Sequence, residues 1–131
     1  MSVNRHQRIL VVEDELQATL RLVDDLAELG LHIVGVATTA DEAVHLATTK
    51  QPDLVMMDIR LGQASDGIEA AARIRAEREL PIIFVTGAAD SATHARAREV
   101  DPVAVLMKPF SSEQLVTALS KARQQIGRLP H

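Results

Sequence analysis

The sequence contains no cysteine, no tryptophan and no tyrosine, and only 2% of its residues are aromatic. Without cysteine there are no disulfides, no thiolate nucleophile and no cysteine-ligated zinc. With Phe84 and Phe110 as the sole aromatics, any core must be aliphatic, and a hydrophobic fraction of 47% is ample to build one. An excess of positive charge is also missing. The net charge is −4 with both signs interspersed, which argues against a nucleic-acid footprint. No apolar run reaches membrane-spanning length, and the opening MSVNRHQR lacks the apolar stretch of a signal peptide. The expectation is a cytoplasmic protein without membrane or nucleic-acid partners. Its 131 residues form one domain, 1–131, with a core over about 8–123.

Four short apolar runs stand out, at 9–12, 54–57, 82–85 and 103–107. Each is nearly continuous rather than alternating, as in strands covered on both faces of a parallel sheet. A fifth run, 33–37, contains Gly35 and belongs at an edge. Helical patterns separate the runs. The first covers 16–29, with Leu16, Leu20, Val23 and Ala27 on one face and Gly30 as its C-cap. The second opens at Thr39 with capping-box spacing to Glu42 and runs to about Lys50. The third spans 67–79 and is barred from continuing by Pro81. The fourth, 91–99, has only alanines on its apolar side. The fifth starts at Ser111, again with capping-box spacing, and carries Leu115, Leu119 and Ile126. Residues 1–7 and the tail after about Arg123 read as frayed ends. Five β-α repeats make an α/β doubly wound sheet.

In such a sheet, ligands bind beyond the carboxyl ends of the strands. Strand one ends in Glu13-Asp14, strand three in Asp58, strand four in Thr86-Gly87 and strand five in Lys108-Pro109. If the strand order is 2-1-3-4-5, the three carboxylates converge. Carboxylates held together push one another towards protonation, and a hard divalent cation such as Mg²⁺ resolves the conflict. Taken singly, Glu13-Asp14 reads better as a solvated strand end, and Lys108 reads also as a surface lysine before a helix. Their joint placement favours a site.

These segments resemble the receiver domains of two-component response regulators, chemotaxis-regulator-like and single-domain. The matching pieces are Ile9-Leu-Val-Val-Glu-Asp14, Asp53-Leu-Val-Met-Met-Asp58, Asp66-Gly67, Phe84-Val-Thr-Gly87 and Met107-Lys-Pro-Phe110. The resemblance implies a flavodoxin-like (βα)5 three-layer sandwich of order 2-1-3-4-5. It implies Asp58 as phosphoacceptor, supplied by a sensor histidine kinase or histidine phosphotransfer protein. It further implies Mg²⁺ bound directly by Asp14 and Asp58, through water by Glu13, and by the backbone carbonyl of Arg60. Thr86 and Lys108 would bond the phosphoryl oxygens, and the Lys108–Pro109 peptide would be cis.

Several positions depart from that family. Its switch aromatic falls here on Val105, so the usual threonine–tyrosine coupling is missing. The stretch from Phe84 to Ala89 matches the FAT GUY group only in part, with Ala89 in place of the final tyrosine. Arg60 and Ala88 occupy positions that tune phosphoryl lifetime, and both predict slow self-dephosphorylation. The loop after Asp58 is a residue longer than usual, with Gly62 in a mobile rim. The expected function is a stand-alone, non-enzymatic switch, a monomer or weak homodimer, acting through an unidentified downstream protein or relaying phosphoryl to a histidine phosphotransfer protein. Two alternatives share the architecture. An aspartate-nucleophile phosphatase would need an acid at position 60, which is arginine. A flavodoxin-like flavin module would need a phosphate-cradling loop where Glu13-Asp14 stands.

Overall fold

A computed structural model of the chain describes residues 7–61, 65–87 and 90–128. The elements are β1 (Arg8–Val12), α1 (Leu16–Glu28), β2 (His32–Ala37), α2 (Ala40–Lys50), β3 (Leu54–Asp58), β4 (Arg60–Leu61), β5 (Ser65–Asp66), α3 (Gly67–Glu77), β6 (Ile82–Thr86), α4 (Ser91–Glu99), β7 (Ala104–Met107) and α5 (Ser112–Arg128). The main sheet is parallel, with order β2-β1-β3-β6-β7. Counted along that sheet this is the expected 2-1-3-4-5, and β2 lies at an edge as its Gly35 suggested. The labels diverge because a two-stranded antiparallel ribbon, β4–β5, interrupts the loop after Asp58.

Successive strand residues point to opposite faces, so each central strand feeds two cores. Ile9, Val11, Leu54, Met56, Ile83 and Val85 pack with Leu22 and Leu26 of α1 and with Leu115 and Leu119 of α5. Leu10, Val12, Val55, Met57, Ile82 and Phe84 pack against α2, α3 and Ala97 of α4. Continuous apolar runs are therefore what a three-layer sandwich needs.

Helix α1 corrects one expectation. Its buried residues are Thr19, Leu22 and Leu26, whereas Leu16 is 71% and Leu20 56% exposed. The helix offers two apolar stripes, and periodicity alone does not choose between them. Thr19 can be buried because its hydroxyl donates to the Glu15 carbonyl at 3.0 Å. Gly30 does end the helix, at φ +84, while Leu31 N–H returns to the Leu26 carbonyl at 3.1 Å.

The caps follow the sequence signals. Thr39 Oγ1 accepts from Glu42 N–H, although the Glu42 carboxylate reaches Thr38 N–H rather than that of Thr39. Ser111 and Gln114 form a reciprocal box, with bonds of 2.9 and 3.1 Å. A second correction lies at the end of the chain. Helix α5 continues to Arg128 instead of fraying after Arg123, with Ile126 half-buried beyond that point. Helix α3 stops at Glu77, two residues before the expected end.

Candidate functional site

The site residues are delivered by extensions of the ladders at the carboxyl edge. Glu13 N–H donates to the Ala37 carbonyl at 2.9 Å, which carries β1 one residue further. Asp58 closes β3 and pairs with Val85, and Ile59 N–H donates to the Val85 carbonyl at 3.1 Å. Lys108 N–H donates to the Thr86 carbonyl at 2.8 Å, which fixes the lysine just beyond β7. The following Lys108–Pro109 peptide is cis.

Lys108 bridges the two carboxylates that this geometry brings together. Its Nζ lies 3.0 Å from Glu13 Oε1 and 3.1 Å from Asp58 Oδ2. The remaining oxygens take backbone donors: Glu15 N–H reaches Glu13 Oε2 at 3.2 Å, and Arg60 N–H reaches Asp58 Oδ1 at 3.1 Å. Glu13 is 5% exposed and Asp58 7%, while Asp14 stands at the surface. The three residues offer ligand oxygens within 4.8 Å of one another. Among the described residues, this is the one group able to hold a metal ion. The all-oxygen donor set suits a hard divalent cation.

Burial, then hydrogen bonding and charge from Glu13, push the Asp58 carboxyl up to about 6, against the downward pull of Lys108 and Arg60 N–H. Burial disfavours charge on Lys108, but Glu13 and Asp58 outweigh it and raise the ammonium above its ordinary value. Between the unfolded value of 3.8 and the folded value of about 6, the native state holds a proton that the unfolded chain has lost. Without metal, stability contributed by this group therefore falls as pH rises through that window. Asp58→Asn is expected to remove the fall. In EDTA near neutral pH the variant should melt at least about 3 °C above wild type, with the gap closing towards pH 4. Parallel melting curves across that window would overturn the assignment.

Asp58, Arg60, Thr86, Gly87 and Lys108 line a cleft of about 410 Å³. Thr86 is buried, at 1% exposure, and so belongs to the floor rather than the rim. Val105 is not in the cleft. It lies opposite Phe84 in the sheet and packs against the α2–α3 core. Ala88, Ala89 and Gly62 lie outside the described residues.

Two features of this site escaped sequence reading. A Cβ on Gly67 would lie 2.0 Å from the Asp58 carbonyl oxygen, and Gly67 N–H donates to the Ile59 carbonyl at 2.7 Å. Only glycine lets the start of α3 approach the Asp58–Ile59 backbone this closely. The second is an ion pair between Asp66 and Arg96 on α4. A glycine after an aspartate at a helix start was the only available signal for the first, and the second had none.

Fold and cleft together define an α/β domain with an acidic, lysine-bridged pocket at the carboxyl edge of its sheet. Residues 9–120 match the response regulator receiver domain, and the chain belongs to that family. It is 40% identical over 116 residues to the transcriptional regulatory protein PdtaR of Mycobacterium tuberculosis, covering 88% of this chain and 56% of that protein. It is 32% identical over 115 residues to the phyllosphere-induced regulator PhyR of Methylorubrum extorquens, covering 87% and 42%. The chain thus spans about half the length of these relatives. A receiver domain of a modulated diguanylate cyclase from Desulfovibrio desulfuricans superposes with a TM-score of 0.85 at 38% identity, covering 92% of this chain and 95% of that one. Among the described residues, no helix is long and apolar enough to cross a membrane.

Proposed function

We propose that the chain is a phospho-accepting response regulator modified on Asp58. The observation that carries this is a buried carboxylate held between the Lys108 ammonium and the Arg60 N–H, with two further carboxylates beside it. Glu13, Asp14, Asp58 and the Arg60 carbonyl would hold Mg²⁺, which supplies neutralisation of the charge that develops on the transferred group. Asp58 Oδ attacks phosphorus, the bond to the donor's leaving group breaks, and the product is an acyl phosphate. The chain's own part is placement and charge. Lys108 holds one Asp58 oxygen, and it and Thr86 would bond the phosphoryl oxygens.

The phosphoryl donor is a sensor histidine kinase or a histidine phosphotransfer protein, and the output goes to a downstream protein. The chain is a switch rather than an enzyme, and it works in the cytoplasm. A phosphatase needs a proton donor near the nucleophile, and the cleft presents Arg60 there. Incubation with acetyl phosphate and Mg²⁺ should add one phosphoryl group, detected by intact mass. No addition at saturating donor, with no response to beryllofluoride, defeats the proposal.

Phosphorylated Asp58 is expected to be long-lived, because Arg60 lines the cleft and the side chain of Ala88 has no hydrogen bond to offer an attacking water. Decay of labelled protein should take minutes or longer, and Ala88→Glu should speed it. A wild-type half-life of seconds would contradict this reading.

A further inference from the structure

Helix α4 is the most weakly seated of the covering helices. Ala97 is its one buried residue, and a single methyl group anchors little. What ties it down is polar. Arg96 Nη2 donates to Asp66 Oδ2 at 2.5 Å. Just past the helix, the Val100 carbonyl accepts from Arg75 of α3 at 2.7 Å.

Asp66 is also more than a surface carboxylate. Its Oδ1 caps α3, accepting from Ile68 N–H at 2.8 Å and Glu69 N–H at 3.4 Å. Across the β4–β5 ribbon it stands opposite Arg60. The N–H of Arg60 in turn holds Asp58 Oδ1. Contact therefore passes from Asp58 to Arg60, across the ribbon to Asp66, and from Asp66 to Arg96.

We infer that Asp66 and Arg96 are positioning residues that couple helix α4 to the state of the Asp58 pocket. This rests on the receiver reading above. Phosphorylation changes the charge and partners of the carboxylate that Arg60 N–H binds. The ribbon pairs Arg60 directly with Asp66, so a shift at Arg60 bears on the residue that also caps α3. The Arg96 bond carries it on to a helix otherwise seated by Ala97, Val100 and the Arg75 bond. The aromatic relay that Val105 cannot provide is thereby replaced by an ionic one. Coupling is reciprocal, so holding α4 also alters the pocket's affinity for its cation. An exposed pair contributes little to global stability, so breaking it uncouples the elements without unfolding them.

The test uses amide NMR on the full chain, titrated to saturation with beryllofluoride and Mg²⁺. The proteins are wild type, Arg96→Ala, Arg96→Lys and Asp66→Asn, the last of which keeps a competent helix cap. Amides of Ile59, Arg60, Thr86 and Gly87 should shift in all four. Those of Ser91–Glu99 should shift in wild type and Arg96→Lys, and by less than about half as much in the other two. Mg²⁺ affinity should change about twofold to fivefold on breaking the pair, equally in the single variants and the Arg96→Ala, Asp66→Asn double variant. Helix α4 shifts equal to wild type in Arg96→Ala and Asp66→Asn overturn the inference. So does loss of the pocket shifts in those variants, which would make the pair part of the pocket's own fold. Absence of pocket shifts in wild type is a different result, because there the receiver reading itself fails.

Discussion

Asp58→Asn is expected to abolish phosphoryl uptake from acetyl phosphate while leaving the fold intact. The amide keeps the shape of the carboxylate: its oxygen can still accept from Arg60 N–H, and its NH2 can donate to Glu13 where the Lys108 bond is lost. It has lost the anionic oxygen that attacks phosphorus, and no other described carboxylate takes its place. Neither Glu13 nor Asp14 lines the cleft that Asp58 shares with Thr86 and Lys108. Intact mass should therefore show no added phosphoryl group at any donor concentration. Lys108→Ala should lower the rate by a smaller factor, because it removes charge stabilisation and leaves the nucleophile. Uptake by Asp58→Asn at the wild-type level would mean that another residue is modified, and the site would have to be reassigned.

Gly67→Ala should have the largest effect on stability. Its added methyl would sit 2.0 Å from the Asp58 carbonyl oxygen and 3.0 Å from both the Asp58 carbonyl carbon and Ile59 Cα. All three neighbours are backbone, so no side-chain rotation relieves the clash. Either α3 withdraws from the sheet or the Asp58–Ile59 peptide moves, and the two are tied by the Gly67 N–H bond to the Ile59 carbonyl. The expected cost is at least about 3 kcal/mol, measured by urea unfolding with the slope unchanged. Any folded fraction should bind Mg²⁺ more weakly, since displacing that peptide carries Asp58 and Arg60 with it. A loss of less than about 1 kcal/mol would show that the approach of α3 to β3 is softer than the contact implies.

Much of this protein can be read from its residues because its strands are buried on both faces. Runs such as Leu54-Val-Met-Met leave no polar face to disguise, so periodicity and length identify them. Caps are equally local: Ser111 and Gln114, or Thr39 and Glu42, bond within one turn, and their spacing is the whole signal. The candidate site shares this property. Each of its residues lies one step beyond an apolar run, so finding the strand ends finds Glu13, Asp58, Thr86 and Lys108.

Tertiary packing decided what residues far apart in the chain do to one another. Which stripe of α1 faces inward depended on α1 meeting β1 and β2, a choice its two apolar stripes leave open. That Lys108 bonds both Glu13 and Asp58, and that Asp58 is lifted to about 6, followed from burial and from distances between separate strands. The requirement for glycine at 67 and the tie from Asp66 to Arg96 arose the same way, from a helix start pressed against a peptide and from one helix bonded to the cap of another. Local pattern specifies elements because their hydrogen bonds close within a few residues. The forces acting between elements depend on separations that only the assembled sheet and its helices establish.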